Sequence, residues 1–374
     1  MLGYVQEVLM KTDLYIHSFL SILPEHHLPQ SQIVDWTLKS HIAVESFKGE
    51  GDGEKFSRHL ARFCLNENYI TQRYFECNEV DENWEQHRIY KITPNNPMGA
   101  TIEERNIFFG EKAKVVFEKM YHDQVPEHIV HVTCTGYISP SPAQVYFSGK
   151  EKSPAITHAY HMGCYASLPA VRMAVGLSMS EERTIDVVHT EMCSLHLRPE
   201  VHTPEQMVVQ TLFADGHIKY SIGQERKGMK VLSVHEKLVP ESLNDMTWIP
   251  ASHGMSMTLS REVPFKIRDM LPDFISELCL KSNVNRDEIL KDGIFAIHPG
   301  GPKIIEAVQK KLELASDQVK ESQKILSARG NMSSATLPHV WDEILKSHPR
   351  AGTKVLSLAF GPGLTIFGAI FEVV

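Results

Sequence analysis

The stretch ITHAYHMGCYASLPAVRMAVGL (Ile156–Leu177) changes character at Gly163-Cys164. Up to that dipeptide it reads as a buried strand; beyond it Leu168, Val171, Ala174 and Val175 recur at helical spacing. A second stretch, GIFAIHPGGPKIIEAVQKKLEL (Gly293–Leu314), repeats the plan. An apolar strand runs into a glycine turn carrying His298, then into a helix whose buried stripe is Ile304, Ile305, Val308 and Leu312. Strand, reactive turn and helix thus occur twice, which predicts an α/β architecture of two similar halves. The division is expected near GMKVLSVHEKLVPES (Gly228–Ser242), giving residues 1–232 with the cysteine and residues 233–374 with the histidine.

The rest of the chain fits the same class. Asp13–Leu23 reads as a first strand, LPEHHLPQSQ (Leu23–Gln32) as a turn and IVDWTLKSHIA (Ile33–Ala43) as a helix. FKGEGDGEKFSR (Phe47–Arg58) reads as a solvated loop and ERNIFFGEKAKVVFEKMYHD (Glu104–Asp123) as an amphipathic helix. HIVHVTCTGYISPSPAQVYF (His128–Phe147) reads as a strand running into a loop punctuated by Pro140 and Pro142.

Composition excludes several function classes. The chain has 374 residues, 42% of them hydrophobic, enough for a large core, and a formal net charge of −8 without a long Lys/Arg cluster. That distribution offers no electrostatic footprint for nucleic acid or an anionic membrane. Six cysteines with no CxxC spacing indicate neither a disulfide framework nor a zinc ribbon, so reduced cytoplasmic thiols are expected. MLGYVQEVLMKTDLYIHSFLSIL (Met1–Leu23) lacks the features of a secretory signal, and no apolar run reaches membrane-spanning length.

A thiol at a helix N-terminus faces unpaired backbone N–H groups and the positive end of the helix dipole, which favour thiolate. His298 in AIHPGG is followed by a proline that cannot donate and by glycines that permit close chain approach. Asn331 in ARGNMSSATLP (Ala328–Pro338) is an amide in a glycine-flanked turn before small residues. Singly, each has a bland reading as buried cysteine, satisfied histidine or helix cap. Three such placements in one chain argue against coincidence.

YHMGCYASLPAVRMA, AIHPGGPKIIEAV, ARGNMSSATLP and the near-terminal LAFGPGLTIF (Leu358–Phe367) resemble the motifs of type III polyketide synthases. This is the chalcone synthase family of the thiolase superfamily, and the resemblance runs in order from about Asp13 to Val374. It implies a thiolase-like five-layered αβαβα fold and a homodimer. By motif, Cys164 is the acyl-accepting nucleophile, with His298 and Asn331 completing a Cys-His-Asn set. His298 would keep Cys164 ionised, and the two donors would bind the thioester oxygen of a malonyl unit as carbon dioxide leaves. No permanent cofactor is implied; acyl-CoA and malonyl-CoA, or an acyl carrier protein, bring the substrates. Polyketide chemistry with few extensions, ending in a pyrone, a resorcinol-like ring or a short product, is the leading expectation.

The pocket departs from the family's pattern. Phe213 in TLFADG keeps one of two gate phenylalanines, but Met257 stands at the other, and Trp248 takes the place of a small cavity glycine. Glu191 is retained, whereas Cys193 and His196 replace threonines, and Ser139 sits where a methionine reaches across the dimer. Ser333, in the asparagine motif, is a further pocket candidate. At the CoA entrance Arg62 matches a phosphate-contacting position, Asn66 replaces a lysine, and Lys303 is a compensating candidate. A weaker grip on CoA would suit carrier-protein delivery.

His189, Cys193 and His196 suggest zinc by residue type, but their spacing along a strand does not converge them, so no metal is expected. AFGPGLT lacks the spacing of a phosphate loop and reads as a turn shaping the catalytic floor. Two rivals stay open: a ketosynthase III-like enzyme making one condensation or joining two acyl chains, and a non-catalytic thiolase-fold protein that binds acyl thioesters.

Overall fold

A computed structural model describes residues 12–49 and 52–374. Its strands are β1 (Tyr15–Ile22), β2 (His26–Pro29), β3 (Gln72–Phe75), β4 (His128–Thr133), β5 (Ala155–Tyr160), β6 (Ile185–Met192) and β7 (Asp215–Gly223). They continue as β8 (Met229–Leu238), β9 (Met246–Ala251), β10 (Gly254–Leu259), β11 (Ile294–Ile297), β12 (Lys354–Gly361) and β13 (Thr365–Val373). The helices are α1 (Gln30–Ser46), α2 (Gly53–Ala61), α3 (Ile102–Tyr121), α4 (Pro142–Phe147), α5 (Ser167–Glu181) and α6 (Pro204–Leu212). After them come α7 (Val263–Ser282), α8 (Arg286–Asp292), α9 (Pro302–Leu312), α10 (Lys320–Arg329) and α11 (Thr336–Lys346).

Nine strands join in the order β11-β12-β13-β8-β1-β7-β6-β4-β5, while β2-β3 and β9-β10 form separate hairpin-like pairs. The seam between β1 and β8 is only two residue pairs wide, Tyr15 with Lys230 and Ile16 with Met229. The two flanks therefore face one another with α5 and α11 between them: α5 touches β4, β6, β7 and β13, and α11 touches β7 and β11. On the outer faces α3 lies over β1 and β6, and α7 over β8 and β13, with α9 against α7. Helix, sheet, helix, sheet, helix is the αβαβα layering.

Alternation along the strands accounts for the layers. On β13, Phe367, Ala369 and Phe371 join the central core, whereas Ile366 and Ile370 join the outer core beneath α7. A strand buried on both faces reads as an unbroken apolar run, as TIFGAIF does. Trp341 of α11 fills the centre of the inner layer, fully buried, edge-on to Tyr220 and Phe371, its Nε1–H donating to Ser357 Oγ at 2.7 Å.

Some local readings change. HHLP pairs with β3 as a strand where a turn was expected. PAQVYF is the helix α4 rather than loop, because Ser141 and Gln144 form a reciprocal capping box and Pro142 sits in the first turn, where its missing N–H costs nothing. In the expected loop 47–58, Glu50 and Gly51 lie outside the described residues, and α2 begins at Gly53 behind an Asp52 cap. The expected division at 232/233 falls inside β8, which pairs with β1 at its start and with β13 along its length. No helix among the described residues is long and apolar enough to cross a membrane.

Trp341→Ala should destabilise the chain by about 3–5 kcal/mol, since it empties the layer both sheets pack against. Equilibrium unfolding in urea checks this; a loss below about 1 kcal/mol would contradict the central placement.

Candidate active site

Parallel strands β5, β4 and β6 are neighbours, and a cysteine follows the carboxyl end of each: Cys164, Cys134 and Cys193. All three line one cavity with Thr135, Gly163, Phe213, Trp248, Met257, Ser333 and Pro362. His298 follows the carboxyl end of β11, and Pro362 the end of β12, which is parallel to it. The crevice beyond the carboxyl ends of strands is the usual place for a site in such sheets.

Cys164 stands three residues ahead of α5, half-buried in a turn that Gly163 makes possible. Gly163 has φ +78°, and a Cβ there would lie 2.9 Å from Pro362 Cδ. AFGPGLT therefore does shape the floor beneath the nucleophile. Asn331, 1% exposed, is fixed at both ends of its backbone: its N–H donates to the Leu212 carbonyl at 3.0 Å, and its carbonyl accepts from Ala214 N–H at 2.8 Å. Its side-chain Oδ1 accepts from Ser333 N–H at 2.9 Å and Thr336 Oγ1 at 3.2 Å. With the oxygen so occupied, the Nδ2 group faces Cys164 Sγ, 4.0 Å away.

Burial pushes Cys164 up to about 12; the Ser333 hydroxyl and the Asn331 amide pull it down, and the Glu191 carboxylate pushes it further up. His298, 1% exposed, is lowered to about 3 by burial, and neither ring nitrogen has a partner among the described residues. Burial thus works against the charged form of each group taken singly.

Other expected pocket residues separate into two groups. Phe213, Met257 and Trp248 line the cavity; Trp248 and Met257 face each other across the β9-β10 pair, and Trp248 Nε1–H donates to Cys134 O at 2.7 Å. Ser333, at φ +49°, holds its Oγ 3.0 Å from Cys134 Sγ. Glu191 stands behind this wall, fully buried, accepting from Thr135 Oγ1 at 2.8 Å, from Cys134 N–H at 3.1 Å and from Ser334 Oγ. Burial raises its pKa, and the Ser334 bond opposes that rise most strongly.

His196 does not enter the cavity: Nε2 bonds the Thr135 carbonyl at 2.8 Å and Nδ1 accepts from Met255 N–H at 3.2 Å, which consumes the ring. Ser139 is exposed and lies outside the cavity lining. Arg62 at the end of α2 and Lys303 in the first turn of α9 are also exposed, without ion pairs among the described residues. Cys134, Thr135, Met246 and Thr247 were missed as pocket residues. TCTG directly after β4 carried the signal for the first two, as small polar residues at the carboxyl end of a buried strand. The cavity holds about 20 Å³, little more than one water.

Comparison with known proteins follows this geometry. A family model, "Chalcone and stilbene synthases, C-terminal domain", matches residues 230–374. The Dictyostelium discoideum protein described as "Probable polyketide synthase 1" is 31% identical over 327 residues, 84% of this chain but 10% of that protein, so the chain spans a tenth of that relative's length. Type III polyketide synthase C of Arabidopsis thaliana is 28% identical over 259 residues, 66% of this chain and 67% of the relative. Among solved structures, the C-terminal type III polyketide synthase domain of the Dictyostelium hybrid Steely1 superposes with TM-score 0.79 at 25% identity, covering 97% of this chain and 100% of that one. PKS-I of the brown alga Ectocarpus siliculosus gives TM-score 0.83 at 20% identity, covering 97% and 99%.

Gly163→Ala should cost about 1–2 kcal/mol from the left-handed backbone alone, with the Pro362 contact added. Denaturant unfolding checks the stability loss, and unchanged stability would contradict the turn geometry.

Proposed function

We propose that the chain is a type III polyketide synthase, a decarboxylative condensing enzyme with Cys164 as acyl acceptor, as its similarity to that family supports. The observation that carries this reading is the amide of Asn331 aimed at the Cys164 sulfur across 167 positions of sequence, its oxygen already bonded elsewhere. A thiol-lined cavity, and a buried imidazole past the end of β11 with no hydrogen-bond partner among the described residues, support it further. The relatives favour this class over a single-condensation ketosynthase or a non-catalytic thioester-binding protein.

Loading couples proton transfer to attack. Cys164 Sγ bonds the acyl carbonyl carbon, its proton passes to His298, and the expelled thiol of the carrier takes a proton as the C–S bond breaks. A malonyl thioester then places its carbonyl oxygen against His298 and Asn331. The bond to carboxylate breaks, carbon dioxide leaves, and the electron pair forms an enolate whose oxygen the two donors stabilise. The carbanion attacks the acyl-cysteine carbonyl, releasing Cys164 with the chain two carbons longer.

Family members use CoA thioesters and act as homodimers. For this chain we read acyl-CoA and malonyl-CoA as substrates, Arg62 and Lys303 as surface cations for the carrier's phosphates, and an acyl carrier protein as the alternative donor. A cytoplasmic homodimer, with exposed Ser139 toward the partner, belongs to the same reading. So does the division into residues 1–232, carrying the nucleophile, and 233–374, carrying His298 and Asn331. The narrow cavity walled by Trp248 and Met257 supports few extensions.

Three variants test the assignment. Intact-mass measurement with an acyl-CoA should show one acyl group on the wild-type chain and none on Cys164→Ala; an adduct surviving that change would remove Cys164 as acceptor. Asn331→Ala should retain loading while slowing release of carbon dioxide from malonyl-CoA roughly a hundredfold, the loss of one oxyanion donor. Trp248→Gly should shift product mass upward by whole malonyl-derived units, and an unchanged product would place the limit on extension elsewhere.

A further inference from the structure

Behind the cavity wall lies a buried cation that the reaction as described does not use. Arg73, on β3, is 3% exposed and has no carboxylate within ion-pair distance among the described residues. Two of its guanidinium nitrogens bond neutral oxygens: Nε donates to Gln30 Oε1 at 2.8 Å, and Nη1 to the carbonyls of Gln210 at 2.9 Å and Phe213 at 2.7 Å, while Nη2 has no partner among the described residues. Gln30, fully buried, completes the clamp by donating Nε2 to the Leu65 and Thr211 carbonyls, each at 2.7 Å. A guanidinium buried without a counter-ion is expensive. The C-terminal carbonyls of α6 offset part of that cost, because they carry the negative end of the helix dipole.

What the clamp holds gives the expense a purpose. Phe213 lines the cavity and is paired in parallel with Asn331, whose backbone is bonded to residues on either side of Phe213. Gly330 brings that segment against Arg73: at φ +72°, a Cβ there would lie 3.1 Å from Arg73 Cγ and 2.9 Å from the Leu212 carbonyl. The side chains of Arg73 and Gln30 touch neither the sulfur nor its turn.

We propose that Arg73 and Gln30 are positioning residues that set the Phe213–Asn331 pairing and so aim the Asn331 amide for decarboxylation, leaving acyl loading of Cys164 untouched. The inference rests on the condensing-enzyme reading above. A merely structural role would weaken both steps together, whereas a positioning role splits them.

The test compares full-length wild type with Arg73→Met, Arg73→Lys and Gln30→Met. It follows acylation of Cys164 by intact mass with an acyl-CoA, carbon dioxide release from malonyl-CoA, and the melting temperature. Arg73→Met should lower decarboxylation about tenfold or more, in line with the cost of a small misplacement of a catalytic group, with acylation within about twofold of wild type. Arg73→Lys should restore part of the rate, since an ammonium reaches one of the carbonyls, and Gln30→Met should fall between. If Arg73→Met does not fold, the two milder variants make the same comparison. Equal loss in both steps, or full decarboxylation in a folded variant, overturns the inference alone. A wild-type protein that neither loads nor decarboxylates overturns the condensing-enzyme reading as well.

Discussion

The direction of one amide governs the chemistry available here. Asn331 has a single side-chain oxygen, and two donors from its own turn, the Ser333 N–H and the Thr336 hydroxyl, occupy it. The nitrogen end is then left toward the Cys164 sulfur. A flipped amide would forfeit both bonds inside a dry environment, where each unmade bond costs about 1–3 kcal/mol. The left-handed backbone of Ser333 is part of the same device, a strained conformation retained beside a site. Everything else in the site is arranged around a donor whose orientation is already decided before any substrate arrives.

Around that donor, burial works against charge on the thiols and the imidazole. Desolvation raises Cys164, Cys134 and Cys193 and lowers His298, while Glu191, buried with no cation beside it, is supported only by hydroxyls, a thiol and an N–H. Such surroundings suit a reaction in which charge appears only as bonds change. An enolate formed there meets preorganised donors rather than water, and a low dielectric strengthens their effect.

Much of this was legible in the sequence, for reasons that can be named. The strand-turn-helix stretches around Cys164 and His298 carried their own periodicity, and TIFGAIF declared a strand buried on both faces. Local capping chemistry overrode the loop reading of PAQVYF. His196 was placed in the pocket by its position in a motif, but a ring that accepts a backbone N–H on one side and bonds a carbonyl on the other has nothing left to offer a substrate. Arg73 and Gln30 gave no signal at all, since their partners are carbonyls, which every residue possesses.

A crystal structure of the enzyme with a non-hydrolysable malonyl thioester analogue tests the central claim most directly. The account predicts the thioester oxygen within about 3 Å of both a His298 ring nitrogen and Asn331 Nδ2, its methylene carbon turned toward Cys164. An analogue seated elsewhere, or an oxygen held by neither donor, would contradict it.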